Sequence, residues 1–582
     1  MRIYLDGEEK QTDRTTVLEL LKKEGKDFLR VDGVEELNWI NNTECPLVNI
    51  VEIDGRIYPI TVLKNKAVKE DMDIRTSSAL IKEKLQERVN LLSGNHECLL
   101  IRKAQEFVAC EAGLAELVDL EDRKTWNFKP RVSEPSIIHD PNKCVRCGSC
   151  VETCREQSVE ALTMDEKEGI IIDETKCVRC GQCVLSCPFG YEEKYMDLLT
   201  DWMNCNLCAF SRPVGAFTEK DDVTKVINAL NDPDKYVVIE IAPSIRSTIG
   251  EEFGAEPGTV VTKKIYAALR KIGFHRIWDT NFTADLTIME EGYELIGRVK
   301  NNGVLPQFTS CCPGWINFCE KFYPELIPHL SSAKSPQQMF GAVAKTYAAE
   351  KLGIDPDKVF VVSVMPCTAK KFERSREELA DASKYWADKG TAPEKFPDVD
   401  VVLTTRECGK LLKIYNINLL EMLEEDADAL LGEYTGAATI FGRTGGVMVA
   451  ALRTAYEVIE GKPLQDMELE ALGEYEGVKT AAIPTSAGEM KIAVASGLNN
   501  ARIICENIKK GGEFSKYHFI EIMACPGGCV GGGGQVVTPM YAKKLARAGG
   551  LNRDDRDRSI RKSHENPEIK GIYEQFLGEP CG

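Results

Sequence analysis

The chain has 582 residues, with 73 Lys and Arg against 91 Asp and Glu, a formal charge of −18. This acidic balance argues against a general nucleic-acid surface or an anionic-membrane surface. No apolar run approaches the roughly 18 residues of a spanning helix, and the N-terminus lacks the apolar stretch of a secretory signal. We therefore expect a soluble, cytoplasmic protein with no nucleic-acid partner and no membrane insertion. In a reducing compartment, the 22 cysteines are better explained as metal ligands than as disulfides.

The first segment, residues 1–78, reads as a small sheet with one helix. RIYLD and NIVEID alternate like strands, and TTVLELLKKEG is typical of a short amphipathic helix ending at Gly25. The segment resembles the β-grasp domain of plant-type 2Fe-2S ferredoxins. Of the four ligands that the resemblance implies, only Cys45 is recognisable, so we predict a structural or docking domain without its cluster.

Residues 79–130 contain SGNHEC at 93–98, which resembles the start of a module that binds a 4Fe-4S cluster through one His and three Cys. After His96 the spacing fails, because Leu100 and Lys103 stand where ligands are needed. We therefore predict that the usual cluster of this module is absent.

Residues 131–212 contain an internal repeat, CVRCGSCVETC at 144–154 and CVRCGQCVLSCP at 177–188. Zinc ribbons use two separated CxxC pairs. In contrast, this CxxCxxCxxxC spacing is typical of proteins with two 4Fe-4S clusters, in which the fourth cysteine of each motif binds the other cluster. The module resembles a bacterial-type ferredoxin. One predicted cluster takes Cys144, Cys147, Cys150 and Cys187, and the other takes Cys154, Cys177, Cys180 and Cys183.

A CNLC sequence follows this repeat within an insertion of about 22 residues. A single CxxC is a weak metal signal, but four cysteines of adjoining segments have no other assignment. We hypothesise that they bind a rearranged third accessory cluster; they are Cys98, Cys110, Cys205 and Cys208.

Three further motifs lie in residues 213–582: TSCCPGW at 309–315, MPCTAKKFE at 365–373 and EIMACPGGCVGGGGQ at 521–535. Each alone could be a packed loop, since a lone buried Cys is usually a small hydrophobe and Gly-rich tracts mark turns. Together, in this order, they resemble the signatures of the iron-only (FeFe) hydrogenases. The resemblance covers about residues 131–575.

The resemblance implies an H-cluster, which is a 4Fe-4S cubane joined to a two-iron subcluster with CO, cyanide and azadithiolate ligands. The implied cubane ligands are Cys312, Cys367, Cys525 and Cys529, with Cys529 bridging to the subcluster. Soft thiolates suit such clusters. Cys367 also follows the β-branched run VFVVSV, so we expect it at the carboxyl end of a buried strand, where open α/β sheets bind ligands.

A proton route and a set of pocket residues are implied in the same way. Glu291 and Glu294 are three residues apart in a helical pattern and share one face, which by itself is typical of two solvated carboxylates. The resemblance makes them part of a route to the two-iron site whose members are Cys311, Glu291, Ser331, Glu294 and Arg298. It also implies cyanide donors at Lys370 and Ser244 and pocket-lining positions at Gln337, Met365 and Met523.

The predicted fold is α/β, with a two-lobed hydrogenase catalytic domain preceded by α+β ferredoxin modules and the β-grasp domain. Buried strands are expected at 236–244, 359–367 and 400–405, each followed by a helical pattern. The function implied is the reversible reduction of protons to H2. Electrons would arrive through the 4Fe-4S clusters from ferredoxin or ferredoxin-like subunits, within a complex that could include a formate or nicotinamide oxidoreductase.

Two alternatives stay open at this point. A non-catalytic hydrogenase-like Fe-S scaffold would keep the cluster cysteines but would be expected to lack Cys311 and the carboxylates. A hydrogen sensor would use the same cofactor at low turnover and normally carries a PAS or kinase-type module; no spare segment here is long enough for both modules.

Overall fold

The computed structural model describes residues 2–12, 16–24, 50–59, 68–81, 83, 130–141, 144, 148–165, 168–187, 216–391, 395–464, 470–471, 477–486, 488–537 and 541–581. Several predictions concern residues outside these ranges. They are the predicted absence of a 4Fe-4S cluster after His96, the hypothesised third cluster, and the roles of Cys45 and Cys147.

The N-terminal region forms a five-stranded sheet in the order β2-β1-β5-β3-β4, in which β1 and β5 are parallel. The alternating residues of β1 and β3 point Ile3, Leu5, Val51 and Ile53 into a small apolar core. Both predicted strands and the predicted helix are present. The elements are β1 Arg2–Leu5, β2 Glu8–Gln11, α1 Val17–Lys23, β3 Ile50–Ile53, β4 Arg56–Pro59 and β5 Met72–Arg75.

The ferredoxin region combines short strands with two helices, each of which includes cysteines of one repeat. Each helix begins after a glycine in the left-handed conformation, Gly148 at φ 80° and Gly181 at φ 72°, which favours glycine. The elements are β6 Arg131–Ser133, β7 Ile137–His139, α2 Ser149–Glu156, β8 Leu162–Asp165, β9 Gly169–Ile172, α3 Gln182–Ser186 and β10 Phe217–Glu219. Strand β10 lies beyond the predicted limit at 212–213, yet it pairs with β7 and completes the sheet β10-β7-β6.

The first catalytic lobe is built on a parallel sheet in the order β12-β11-β14-β15. Its strands are almost wholly buried, as expected for runs of β-branched residues covered on both faces. The strands are β11 Tyr236–Ile241, β12 Arg276–Ile277, β14 Val359–Met365 and β15 Val401–Thr404. The three predicted strands are thus confirmed, each ending before the predicted limit.

The second lobe is built on the mixed sheet β13-β19-β18-β17-β16, in which β13, β19 and β18 are parallel. Its strands are β13 Gln307–Phe308, β16 Glu470–Ala471, β17 Val478–Thr485, β18 Gly488–Ser496 and β19 Phe519–Met523. The prediction of two interleaved lobes is confirmed, because the strands of this sheet come from both sides of β14 and β15 in the chain.

Helices cover both sheets, and one of them connects the two lobes. They are α4 Val223–Leu230, α5 Thr262–Ile272, α6 Thr280–Lys300, α7 Pro313–Phe322, α8 Pro336–Val343, α9 Ala349–Leu352, α10 Ala369–Glu373, α11 Asp381–Asp388, α12 Thr405–Ile414, α13 Gly436–Thr439, α14 Gly446–Glu460, α15 Leu498–Lys509, α16 Tyr541–Asp557 and α17 Pro567–Ile572. Helix α6 packs Phe282 and Leu286 into the core of the first lobe and Ala284 and Ile288 into that of the second. Among the described helices, none combines the length and apolar character needed to cross a bilayer.

Candidate active site

Four cysteines reach one region because the parallel strands of both lobes end there. Cys367 follows β14 in the first lobe, whereas Cys312 follows β13 and Cys525 follows β19 in the second. Cys529 begins a short 3-10 turn, Cys529–Gly531, four residues after Cys525. The expectation that Cys367 lies at the carboxyl end of a buried strand is confirmed.

The four thiols influence one another electrostatically. Burial and, next, the Cys312 thiol raise the pKa of Cys367 to about 12. Burial also raises the pKa of Cys525 and of Cys529, and in both cases Cys312 and Cys367 add to the rise. Without a bound cation these groups are therefore neutral thiols, and a metal would be needed to hold them as thiolates.

The donor set fits a cubane. All four cysteines are free, and thiolate is the ligand that iron-sulfur clusters prefer. The backbone N–H of Ala524 already donates to Sγ of Cys312 at 3.5 Å, a contact of the kind that tunes such clusters. Gly528 has φ 87°, and a Cβ on it would lie 2.5 Å from the Thr444 nitrogen. The tight chain between Cys525 and Cys529 thus requires glycine.

A chain of proton-exchanging groups leads from helix α6 towards Cys311. Ser331 Oγ donates to Glu294 Oε2 at 2.6 Å, and Arg298 Nη2 donates to Glu294 Oε1 at 2.8 Å. The Ser331 hydroxyl is also close enough to Glu291 to lower the pKa of that carboxyl. Cys311 is partly buried; the loss of hydration around its thiol raises its pKa, and the Glu291 charge is the next largest cause. The structure therefore brings all five predicted residues together in the predicted order.

Glu291 is the most perturbed carboxyl of this chain of groups. Its side chain is fully buried. Burial raises its pKa to about 7, although hydrogen bonds from Ser310 to its carboxylate work in the other direction. One oxygen, Oε2, has no hydrogen-bond partner within the described ranges. A carboxyl with a pKa near neutrality and a free oxygen can both accept and donate a proton.

Arg298 holds the loop that carries Ser331. Its guanidinium donates to the carbonyls of Pro328, His329 and Leu330, the last at 2.7 Å. Arg298 thereby fixes both Glu294 and the backbone next to Ser331.

Lys370 lies beside Cys311 and is 8% exposed. Its Nζ donates to the Cys311 carbonyl at 3.1 Å and to Glu373 Oε2 at 2.9 Å. Gln337 Nε2 donates to the same Glu373 oxygen at 3.1 Å, while Gln337 Oε1 is buried with no partner in the described part of the chain. An ammonium and an unpaired amide oxygen are thus held near the thiols, as a ligand-orienting role requires.

Ser244 is held by Gln535, a residue for which no role was predicted. Gln535 Nε2 donates to Ser244 Oγ at 3.1 Å and to the Cys529 carbonyl at 3.0 Å. Gln535 therefore ties the segment after β11 to the Cys529 turn. Its position directly after the glycine tract is the only signal in the sequence. The predicted pocket residues Met365 and Met523 are buried, each at the end of its strand.

A buried carboxylate close to this region was also missed. Glu521 lies in β19 and accepts hydrogen bonds from the backbone N–H groups of Gly445 and Met448, both at 2.7 Å. It therefore caps the start of α14 and fixes this helix to the strand that leads to Cys525. Burial raises the pKa of Glu521 to about 7.

The second set of ferredoxin thiols also comes together. The pKa of Cys183 is raised by burial and then by Cys180, Cys177 and Cys154, which is the predicted ligand set. In the first set, Cys144, Cys150 and Cys187 contact one apolar cluster of the ferredoxin region, and Cys147 lies outside the described residues.

The ferredoxin region packs directly against the catalytic thiols. The Cys180 thiol contributes electrostatically to the raised pKa of Cys525. Thr368 Oγ1 donates to the Arg179 carbonyl at 2.8 Å, and Gln182 Nε2 donates to the Gly531 carbonyl at 3.1 Å. A Cβ on Gly181 would lie 2.4 Å from Thr368 Oγ1. The second set of ferredoxin thiols and the four thiols between the lobes thus lie on either side of a tightly packed contact.

Three family models match the chain. One described as "Iron only hydrogenase large subunit, C-terminal domain" covers residues 235–533, and "Iron hydrogenase small subunit" covers 541–582. A "4Fe-4S dicluster domain" covers residues 137–198. The first match spans the described thiols of the catalytic region.

Several relatives are similar to this chain, two of them over nearly its whole length. A NADP-reducing hydrogenase subunit of Solidesulfovibrio fructosivorans is 38% identical and covers 100% of this chain and 96% of its own length. Iron hydrogenase 1 of Clostridium pasteurianum is 37% identical, with 99% and 97% covered. At lower identity, cytosolic iron-sulfur assembly component 3 of Bos taurus is 31% identical, with 66% and 81% covered.

A solved structure has the same fold. A variant of the FeFe-hydrogenase HydA1 from Chlamydomonas reinhardtii superposes with a TM-score of 0.55 at 40% identity, covering 62% of this chain and 95% of that one. The predicted two-lobed catalytic fold and dicluster ferredoxin region are confirmed. The chain belongs to the iron-only (FeFe) hydrogenase family and is an oxidoreductase that acts on H2.

Proposed function

We propose that this chain catalyses the reversible reduction of protons to H2, at an H-cluster held by Cys312, Cys367, Cys525 and Cys529. The observation that carries the proposal is the coincidence of two features. Four thiols, one buried and three partly buried, meet between the lobes, and a hydrogen-bonded series of carboxyl and hydroxyl groups ends beside them at Cys311. When bound, the H-cluster supplies the redox-active iron at which protons and electrons combine.

The chain's own groups would move the proton. Glu294 lies at the outer end, where Arg298 fixes one oxygen and Ser331 donates to the other. Ser331 can pass a proton because a hydroxyl both donates and accepts. Glu291 is matched to this role by a pKa near 7, and Cys311 would hold the proton last.

Electron supply would come through the ferredoxin region, with two 4Fe-4S clusters on the repeated cysteines. Cys180 influences thiols of the catalytic set, which supports direct electron delivery from this side. We include the third cluster on Cys98, Cys110, Cys205 and Cys208 as part of the proposal. Iron analysis separates the cases: about 14 iron atoms per chain correspond to two accessory cubanes plus the six-iron site, and about 18 correspond to three.

We further propose that the chain works within a multi-subunit complex. A relative similar over its whole length is named as a subunit of a NADP-reducing hydrogenase. By analogy, the electron partner would be a ferredoxin or a ferredoxin-like subunit, linked to a nicotinamide or formate oxidoreductase. Purification of the native complex, followed by identification of its subunits, tests this directly.

A scaffold role is the alternative that the relatives raise, because an iron-sulfur assembly component is 31% identical to this chain. A scaffold needs the cluster thiols but has no use for a proton route. The contacts of Cys311, Glu291, Ser331 and Glu294 therefore favour the enzyme.

The experiment is infrared spectroscopy of the matured protein combined with a hydrogen assay. We expect bands from bound CO and cyanide together with H2 evolution from a reduced donor. Absence of these bands despite maturation, with the cubane iron still bound, would favour the scaffold.

A further inference from the structure

Lys544 lies on helix α16, and its side chain packs on the loop between Cys525 and Cys529. The residue is 7% exposed. Its Nζ donates to the Pro526 carbonyl at 3.4 Å, a long and therefore weak hydrogen bond. A Cβ on Gly527 would lie 3.5 Å from the Lys544 Cδ, and a Cβ on Gly531 would lie 3.2 Å from it. The lysine stem thus fills the space that these two glycines leave.

Lys544 differs from the other buried lysines of the described chain in having no acidic partner there. Lys345 pairs with Asp400 at 2.7 Å, Lys370 with Glu373 at 2.9 Å, and Lys371 with Asp222 at 2.7 Å. A buried ammonium without a counter-charge is destabilised. A neighbouring anion would compensate its charge, and none of the described carboxylates is paired with it.

Pro526, whose carbonyl accepts the Lys544 hydrogen bond, directly follows Cys525 in the chain. Burial lowers the pKa of Lys544 to about 8, and the Cys525 thiol is the group that raises it. Arg547 works in the opposite direction, but its guanidinium is paired with Glu251 at 2.6 and 2.8 Å. The positive charge without an acidic partner is therefore that of Lys544, which packs on the loop between Cys525 and Cys529.

We propose that Lys544 is a positioning residue for the cubane: its ammonium compensates the negative charge on the Cys525 side and raises the cubane's reduction potential. The inference rests on the proposed function, in which Cys525 is a cubane ligand. One-electron reduction adds negative charge to the cluster, so a fixed buried cation stabilises the reduced form more than the oxidised form. Net charge near the sulfurs is one of the protein's means of setting the potential of such clusters.

The test is a redox titration of the full chain with its iron-sulfur clusters, followed by electron paramagnetic resonance. The cubane signal is identified as the component that disappears in Cys312→Ala. We expect Lys544→Met to shift the midpoint of this component to a more negative potential and to leave the ferredoxin components in place. Lys544→Arg, which keeps the charge, should titrate close to the wild type. Lys543→Met, on the neighbouring half-buried lysine, is the matched control and should shift no component.

An unchanged midpoint in Lys544→Met, with the cubane present, would overturn the inference. If that variant does not accumulate, Lys544→Gln carries the same expectation, because the amide can still donate to Pro526 but has no charge. If Lys544→Gln titrates like the wild type, the lysine acts only by packing and hydrogen bonding, and the proposal is wrong. A wild type that lacks any component sensitive to Cys312→Ala would instead refute the proposed function.

Discussion

At the scale of single residues, the proposed proton route consists of side chains that can each accept a proton from one neighbour and donate it to the next. Cys311 is adjacent in sequence to a cubane ligand, yet its backbone carbonyl is held by Lys370 and its thiol responds electrostatically to Glu291. Cluster binding and proton transfer therefore lie in consecutive residues but in different functional groups.

Replacement of Cys311 by alanine should separate these two functions. We expect Cys311→Ala to keep the infrared bands of the cofactor and to lose nearly all hydrogen turnover, because the last proton carrier is gone. Cys319→Ala is the control, since Cys319 is also buried but packs in the core of the second lobe. Undiminished hydrogen evolution by Cys311→Ala would refute the route.

Glu291 should determine a pH limb of the activity. With a pKa of about 7, the carboxyl is mostly protonated below neutrality and ionised above it. Proton reduction needs the protonated donor and should decline as pH rises above 7, whereas H2 oxidation needs the ionised acceptor and should decline below 7.

The variant Glu291→Gln tests the same assignment, because glutamine cannot ionise. We expect a loss of roughly 10²- to 10⁴-fold in both directions of turnover and no remaining limb near pH 7. A pH profile that keeps this limb in the variant would assign it to another group.

At the scale of elements, helix α6 carries both glutamates of the proposed proton route, and its start is fixed by a buried ion pair. Asp279 precedes the helix and accepts the Asn281 backbone N–H at 2.9 Å. The same carboxylate accepts Arg246 Nη2 at 2.8 and 2.9 Å, and neither side chain is exposed. The helix cap and the charge pair therefore share one residue.

Substitution of Asp279 should show which of the two interactions matters more. We expect Asp279→Asn to destabilise the protein by about 3 kcal/mol, because Arg246 is left buried without its main partner. Asp279→Ala should cost about 1 kcal/mol more through loss of the cap. Thermal and denaturant unfolding measure both. Asp355→Asn, at the exposed cap of a short turn, should change stability little; if Asp279→Asn is equally harmless, the charge pair is not important.

At the scale of the whole molecule, the ferredoxin region and the catalytic lobes meet in a contact with no spare space. Gly181 has φ 72°, and a Cβ there would also lie 2.9 Å from the Gly533 Cα. Gly533 is in the glycine tract after Cys529, so both sides of the contact depend on a missing side chain.

Gly181→Ala should therefore disturb the contact between the two regions. Gly254→Ala is a matched control, because Gly254 has φ 88° but nothing within 4 Å of its added Cβ. In both variants, alanine in the left-handed conformation should lower the free energy of unfolding by about 1 kcal/mol. We expect Gly181→Ala to lose about 1–3 kcal/mol more because its Cβ overpacks the contact. It should also evolve less H2 from reduced ferredoxin at unchanged iron content. Equal behaviour of the two variants would contradict the tight contact.

The sequence was most informative where a local pattern determines the outcome. The β-branched run before Cys367 predicts a buried strand with the thiol at its end, and β14 ends at Met365. Gln535, Glu521 and Lys544 were missed because their partners are distant in sequence; Gln535 and Ser244 are 291 positions apart. Strand β10 was missed for the same reason, since its three residues form a strand by pairing with β7, which is distant in sequence.

The distribution of the four cubane thiols over two sheets has a mechanical consequence. Cys367 belongs to the first lobe, while Cys312 and Cys525 belong to the second, so a cubane bound by the proposed ligands would cross-link the two lobes. A cross-link that closes long stretches of chain removes conformational entropy from the opened state. Preparations with a higher iron content should therefore resist proteolysis better. Cleavage should be fastest in molecules without the cubane, whose lobes are held together by packing alone.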